Sequence, residues 1–122
     1  MPFAVSDAVS QVLASALDGV TTRQQVIADN IANADTPGFR ATSVDFESQL
    51  KAAIDDGDFA SGAPVDPGVT ETPTDTPVGA NGNNVDLRKE TLAAMQSQYQ
   101  YQILTRAVSE RFNLVKTAAT GS

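Results

Sequence analysis

The stretch NIANADTPGF, residues 30–39, decides the fold. Apolar residues lead into it at Val9, Leu13, Leu17, Val20, Ile27, Ile31 and Ala34, with Gln24 the one polar member. The steps alternate between four and three, the spacing of one face of a helix. The pattern predicts a helix from about Ser6 to Asn33, interrupted only by Gly19, which costs about 1 kcal/mol relative to alanine in a helix interior. That helix must end before Pro37, because the residue before a proline is pushed out of helical geometry. Thr36-Pro37-Gly38-Phe39 then reads as a type II turn, with proline at the second position and glycine at the third, where a positive φ is needed. Asn30 and Asn33 lie three residues apart on one helix face. In one reading Asn33 helps to end the helix and Asn30 is solvated or caps a turn. In the other the two amides fix helix register or bond the returning chain.

Beyond the turn, Arg40 to Val44 is predicted to be extended. Asp45 is placed to cap a short helix that carries Phe46, Leu50 and Ile54 on one face and ends at Asp55-Asp56-Gly57. Residues 57–85 hold five of the eight glycines and four of the six prolines, with no apolar period, and read as a flexible loop. Asp86 is a good N-cap for a second long helix over 87–119, which contains neither glycine nor proline. Its seam is expected at Leu87, Thr91, Ala94, Gln98, Tyr101, Thr105, Val108, Phe112, Val115 and Ala119, with Leu104 also counted in the seam, and a second row at Leu92, Met95, Tyr99 and Ile103.

The fold class expected is therefore all-α: long N- and C-terminal helices paired as a coiled-coil hairpin, with a short ordered insert and a flexible central loop. The divisions fall at residues 1–40, 41–56, 57–85 and 86–122. Leu13, Leu17, Val20 and Ile27 supply the N-terminal half of the seam. Two helices cannot cover apolar stripes this wide, so the remainder is expected to seek neighbouring chains.

Composition narrows the function. The chain has 122 residues, enough for one domain, and contains no cysteine, histidine or tryptophan. No thiol, no imidazole base and no Cys/His zinc site can be built from it. No nucleophile–base pair or phosphate-binding glycine loop is visible, and Asp55, Asp56 and Asp58 lack the order of a calcium loop. No enzyme activity, cofactor or metal is expected. The net charge is −7. It is concentrated in residues 41–85, which carry eight acidic side chains against one lysine, while residues 86–122 carry five basic against three acidic. This balance argues against nucleic-acid binding. No apolar run reaches the roughly 20 residues of a membrane span, and the N-terminus lacks the basic region of a cleaved signal peptide.

Two motifs give the chain a likeness. Residues 25–40 (QVIADNIANADTPGFR), followed by Val44-Asp45-Phe46 and Leu50, form the first. Asn83-Asn84-Val85-Asp86-Leu87-Arg88-Lys89-Glu90, continuing through Tyr101-Gln102-Ile103-Leu104-Thr105 to Phe112, forms the second. Together they resemble the flagellar axial proteins, and most closely the proximal rod subunits of the bacterial flagellar basal body, over about residues 10–54 and 81–119. Phe39 stands where tyrosine is common in that family, and Thr91 where methionine is common.

The resemblance implies a structural subunit that polymerises with copies of itself and with other rod subunits into a torque-transmitting shaft. It implies neighbours in the basal-body adaptor protein and the flagellar export gate. It also implies a location in the cell envelope at the flagellar base, reached by type III export without a cleaved signal. Asn30, Ile31, Asn33, Thr36, Pro37, Gly38, Phe39 and Phe46 are then the assembly motif, marking where an inner-layer helix ends and the chain turns outward. Two other readings stay open: a small secreted helical-hairpin protein of another export system, and a cytoplasmic export chaperone.

Overall fold

A computed structural model describes residues 2–60 and 68–120, with side chains from residue 8 onward. The elements run α1 (Pro2–Ala32), β1 (Thr42–Val44), α2 (Glu47–Asp55), β2 (Glu71–Pro73) and α3 (Leu87–Thr120). The two long helices have 31 and 34 residues, about 46 and 51 Å at 1.5 Å per residue. They pack on each other along an antiparallel hairpin, with β1 and α2 resting on α1. The all-α plan with a short insert is thus the observed one, and α1 begins four residues earlier than its periodicity predicts.

The insert contains more order than its composition suggests. β1 and β2 pair antiparallel, with Thr42 opposite Pro73, Ser43 opposite Thr72 and Val44 opposite Glu71. β2 lies inside the stretch expected to be loop throughout. Its three residues are all exposed, so it carries no apolar signature and is held through its backbone; the amide of Thr74 extends the pairing by donating to the carbonyl of Ala41 at 3.1 Å. The part of the expected loop at residues 61–67 lies outside the described residues.

The core gathers Ala16, Val20 and Val26 of α1 with Val44 and Phe46 from the insert, and Leu50 and Leu104 pack against it. Burying such side chains contributes about 1.5–3 kcal/mol each for the larger ones. Gly19 is itself part of this packing: the ring of Phe46 fills the space beside its Cα. In α2 the buried residue is Ala53, whereas Ile54, expected on the inner face, is 47% exposed. Asp45 does serve the start of α2, one position outside the N-cap. Its carboxylate accepts from the Ser48 amide at 3.2 Å and the Ser48 hydroxyl at 2.8 Å.

The face that α3 turns toward α1 differs from the expected seam. Glu90 and Ser97 are buried, and Ala93, Gln100, Ala107 and Arg111 are half-buried, together with Ala94 and Leu104, the two residues of the expected seam found on this face. This row is rotated by about one residue from the one through Leu87, Tyr101, Val108, Phe112 and Val115, all of which are exposed. Small side chains such as Ser97 and Ala93 let the helices approach closely. Polar contacts from Glu90 and Gln100 to α1 then set the rotation of α3.

Candidate functional site

The two sequence motifs meet at one corner. α1 ends in a turn of its own side chains. Asn33 donates its amide to the Asp29 carbonyl at 2.8 Å and accepts from the Thr36 hydroxyl at 3.0 Å. The Phe39 amide donates to the Thr36 carbonyl at 3.2 Å, and Gly38 has φ of 76°. These are the marks of a type II turn. Thr36, Pro37 and Gly38 are exposed, and Phe39 is half-buried.

The second motif closes on this turn. Asn83 is buried and donates to the carbonyls of Asn33 and Thr36, both at 2.7 Å. These carbonyls, just beyond the end of α1, also accept the Thr36 and Phe39 amides, so Asn83 adds a second donor to each. Its own oxygen accepts from the Val85 amide at 2.7 Å. The Gly38 amide donates to the Asn81 carbonyl at 3.0 Å. Asn84, also buried, accepts from the Ala41 amide at 2.6 Å and donates its backbone amide to the Phe39 carbonyl at 3.3 Å. Asp86 then caps α3, accepting from the amides of Arg88 and Lys89 at 3.0 and 3.2 Å. The two motifs together thus end α1, start α3 and tie the two helix ends to each other.

Asn30 completes the clamp from below. It is 1% exposed. Its amide donates to the Thr42 carbonyl at 2.8 Å and to a Glu90 carboxylate oxygen at 3.2 Å, and its oxygen accepts from the Thr42 amide at 3.4 Å. The side chain therefore does what a neighbouring strand would do for β1 while also tying α1 to α3. The reading of Asn30 as the residue that bonds the returning chain is the one the geometry supports.

Arg23, Glu47 and Gln100, to which the sequence assigns no role, complete the joint. Arg23 donates to the Val44 carbonyl at 2.7 Å, to both carboxylate oxygens of Glu47, and to Gln100 of α3 at 3.0 Å. Its guanidinium also lies 4.7 Å from the centre of the Phe46 ring. One planar cation thus joins α1, β1, α2 and α3. Burial alone would raise the Glu47 carboxyl, but the Arg23 hydrogen bond and charge outweigh it, so Glu47 titrates below its ordinary value. Hydrogen bonds from the Ser48 side chain and backbone likewise lower Asp45. No periodicity marks Arg23: the expected stripe of α1 runs through Gln24, one residue away.

Val20 and Ile27 are buried, and Leu13, Leu17 and Leu104 are half-buried. Ile31 is 38% exposed. The remaining large apolar residues of α3 face outward: Leu92, Met95, Tyr99 and Ile103 form one stripe, and Val108, Phe112 and Val115 another. A groove of about 420 Å³ lies between the β1–β2 ribbon and the two helices, bordered by Arg23, Thr42, Lys89 and Glu90. Among the described residues no cluster of acidic side chains could hold a metal ion, and no helix is long and apolar enough to cross a membrane.

Comparison with known proteins gives a consistent result. The family described as Flagella basal body rod protein matches residues 11–40, the stretch that contains the end of α1 and the turn. The chain is 36% identical to the flagellar basal body rod protein FlgB of Bacillus subtilis, over 91% of this chain and 92% of that one. It is 34% identical to FlgB of Borreliella burgdorferi, over 81% and 86%, and 34% identical to FlgB of Escherichia coli K12, over 84% and 86%.

Proposed function

This chain belongs to the FlgB family of flagellar basal-body rod proteins, and we propose that its copies polymerise, with other rod subunits, into the proximal part of the torque-transmitting shaft. In this reading α1 and α3 stand in the inner layer of the tube and the insert projects outward. The base of the shaft meets the basal-body adaptor protein and the flagellar export gate. The chain reaches the cell envelope through that gate without cleavage of a signal, and its role is structural rather than catalytic.

The observation that carries the proposal is a contrast within the molecule. The corner is bonded to near completion, yet α3 exposes Leu92, Met95, Tyr99, Ile103, Phe112, Leu114 and Val115, the last three at 69, 66 and 51%. A helix apolar on this many sides needs other chains to cover it. A rigid corner with an uncovered helix suits a subunit whose packing is finished by its neighbours, since a repeated contact requires the same geometry in every copy.

The test is complementation of a flagellated bacterium from which its own rod subunit of this type has been deleted. Swimming, and recovery of this chain in isolated basal bodies, are the expected results. Export of the chain into the medium with no recovery in basal bodies would reject the proposal. A discrete four-helix dimer in solution that never enters basal bodies would favour a secreted hairpin protein of another system.

A further inference from the structure

We infer that the C-terminal end of α3 from one copy docks in an apolar groove at the N-terminal end of α1 in a second copy, with a basic tail meeting an acidic rim. The inference rests on the reading that copies of the chain polymerise.

The groove has a volume of about 340 Å³ and is lined by Ala8, Val9, Val12 and Leu13 of α1 together with Ile54, Gly57 and Phe59. Among the described residues no polar side chain lines it. Phe59 is buried and forms its floor, while Val9 and Ile54 remain 38 and 47% exposed at its edges. Asp56 and Asp58 stand beside it, both exposed and, among the described residues, without an ion-pair partner; Asp55 is shared with Lys51 at 2.8 Å. The site is an apolar slot beside uncompensated negative charge.

The end of α3 has the matching chemistry. Every residue from Phe112 to Thr120 is exposed although the segment is helical. Phe112 is 69% exposed, and Val108, Phe112 and Val115 follow steps of four and three, so they present one apolar edge. Lys116, exposed, and Arg111, half-buried, flank that edge. Aromatic anchors set in slots, with complementary charge at the rim, are the usual arrangement of specific interfaces. Groove and tail are different patches of one surface, so the contact is heterologous. Each copy that receives a tail still offers its own, and the chain of contacts does not close at two.

The absence of cysteine gives a clean background for the test. Two purified full-length chains, one with Ile54→Cys and one with Phe112→Cys, are mixed at high concentration and oxidised. The expected result is a disulfide-linked heterodimer, several-fold more abundant than from Ile54→Cys mixed with the exposed control Gln98→Cys. Lys116→Glu in the second chain should lower the yield, and Asp58→Lys in the first should restore it. A chain carrying both cysteines should give a ladder of multimers.

Yields equal to the control overturn the contact. So does preferential linkage of Ile54→Cys to Tyr99→Cys, indifference to the charge reversals, or products that stop at one or two chains. The two readings fail separately. A chain that restores rods without this cross-link loses the contact and keeps the rod role. One that cross-links in solution but never enters basal bodies keeps the contact and loses the rod role.

Discussion

The ring of Phe46 occupies the space where a side chain at Gly19 would begin: a Cβ built on residue 19 would lie within 3.0 Å of three ring carbons. The insert is therefore seated on α1 by the one residue of its middle turns that has no side chain. Helix propensity alone says that Gly19→Ala should stabilise the chain by about 1 kcal/mol. The packing says the reverse. The ring must move, Val44 and Leu50 lose contact, and overpacking of this kind costs about 1–3 kcal/mol. Gly19→Ala should lower the midpoint of thermal unfolding followed by circular dichroism. A raised midpoint would show that the ring relocates freely and that Phe46 does not fix the insert.

Asn30 serves three groups at once, so its loss should be costly and non-additive. In Asn30→Ala the amide and carbonyl of Thr42 and the buried carboxylate of Glu90 all lose a partner. Leaving buried polar groups unsatisfied costs about 1–3 kcal/mol. Removing Glu90 as well should recover part of the loss, because one of the orphaned groups is then gone. The double-mutant cycle over Asn30→Ala and Glu90→Ala is read from denaturant midpoints. Strict additivity would mean that the Asn30–Glu90 bond adds nothing to the joint.

These two residues also show what a sequence can and cannot disclose. The ends of α1 and α3 are legible because their causes are local: a proline that stops a helix, a glycine at positive φ, an aspartate two residues before the first free amides. β2 is not legible. Glu71, Thr72 and Pro73 have no apolar period, and they become a strand only because β1 offers its edge across nearly thirty residues of chain. The roles of Gly19 and Arg23 depend on Phe46 and Gln100, far away in sequence. The rotation of α3 misleads for a related reason. Periodicity points to the most apolar stripe, whereas the polar contacts of Glu90 and Gln100 with α1 choose the face that turns inward within one chain. The stripe left outside is the surface that the proposed function requires.

The Arg23–Glu47 pair and the Asp45–Ser48 cap predict how the insert responds to acid. Both carboxyls titrate below their ordinary values when folded. Their contribution is therefore fully present above the ordinary carboxylate range, at about pH 4, and is lost as pH falls through the lowered folded values. Glu47 is half exposed in its side chain, so solvent screens the pair and the effect is modest. Glu47→Gln should be less stable than the parent at neutral pH, and the two should converge as pH falls below the carboxylate range. The gap in denaturant midpoint, measured against pH, checks this. A gap that stays constant into strong acid would show that Glu47 acts through packing rather than charge.

Gly38 and Gly82 face each other across the corner, and they should respond differently to the same substitution. Gly38 has φ of 76°, yet a Cβ there meets nothing within 4 Å. Its only demand is the left-handed backbone, which asparagine tolerates and a β-branched residue resists by about 1–2 kcal/mol. Gly82 has φ of 81°, and its Cβ would come within 3.2 Å of the Gly38 Cα and 3.4 Å of the Gly38 nitrogen. That contact is with backbone, in the segment where the Gly38 amide donates to Asn81, so relief means pulling the two motifs apart. The expected order of stability is parent, then Gly38→Asn, then Gly38→Val, with Gly82→Asn well below Gly38→Asn. If the corner positions the subunit in the rod, recovery in basal bodies should fall in the same order while the exported amount stays level. Equal stability of Gly38→Asn and Gly82→Asn would mean that the two loops can separate at no cost, and the clamp formed by Asn83 and Asn84 would not then hold the angle between α1 and α3.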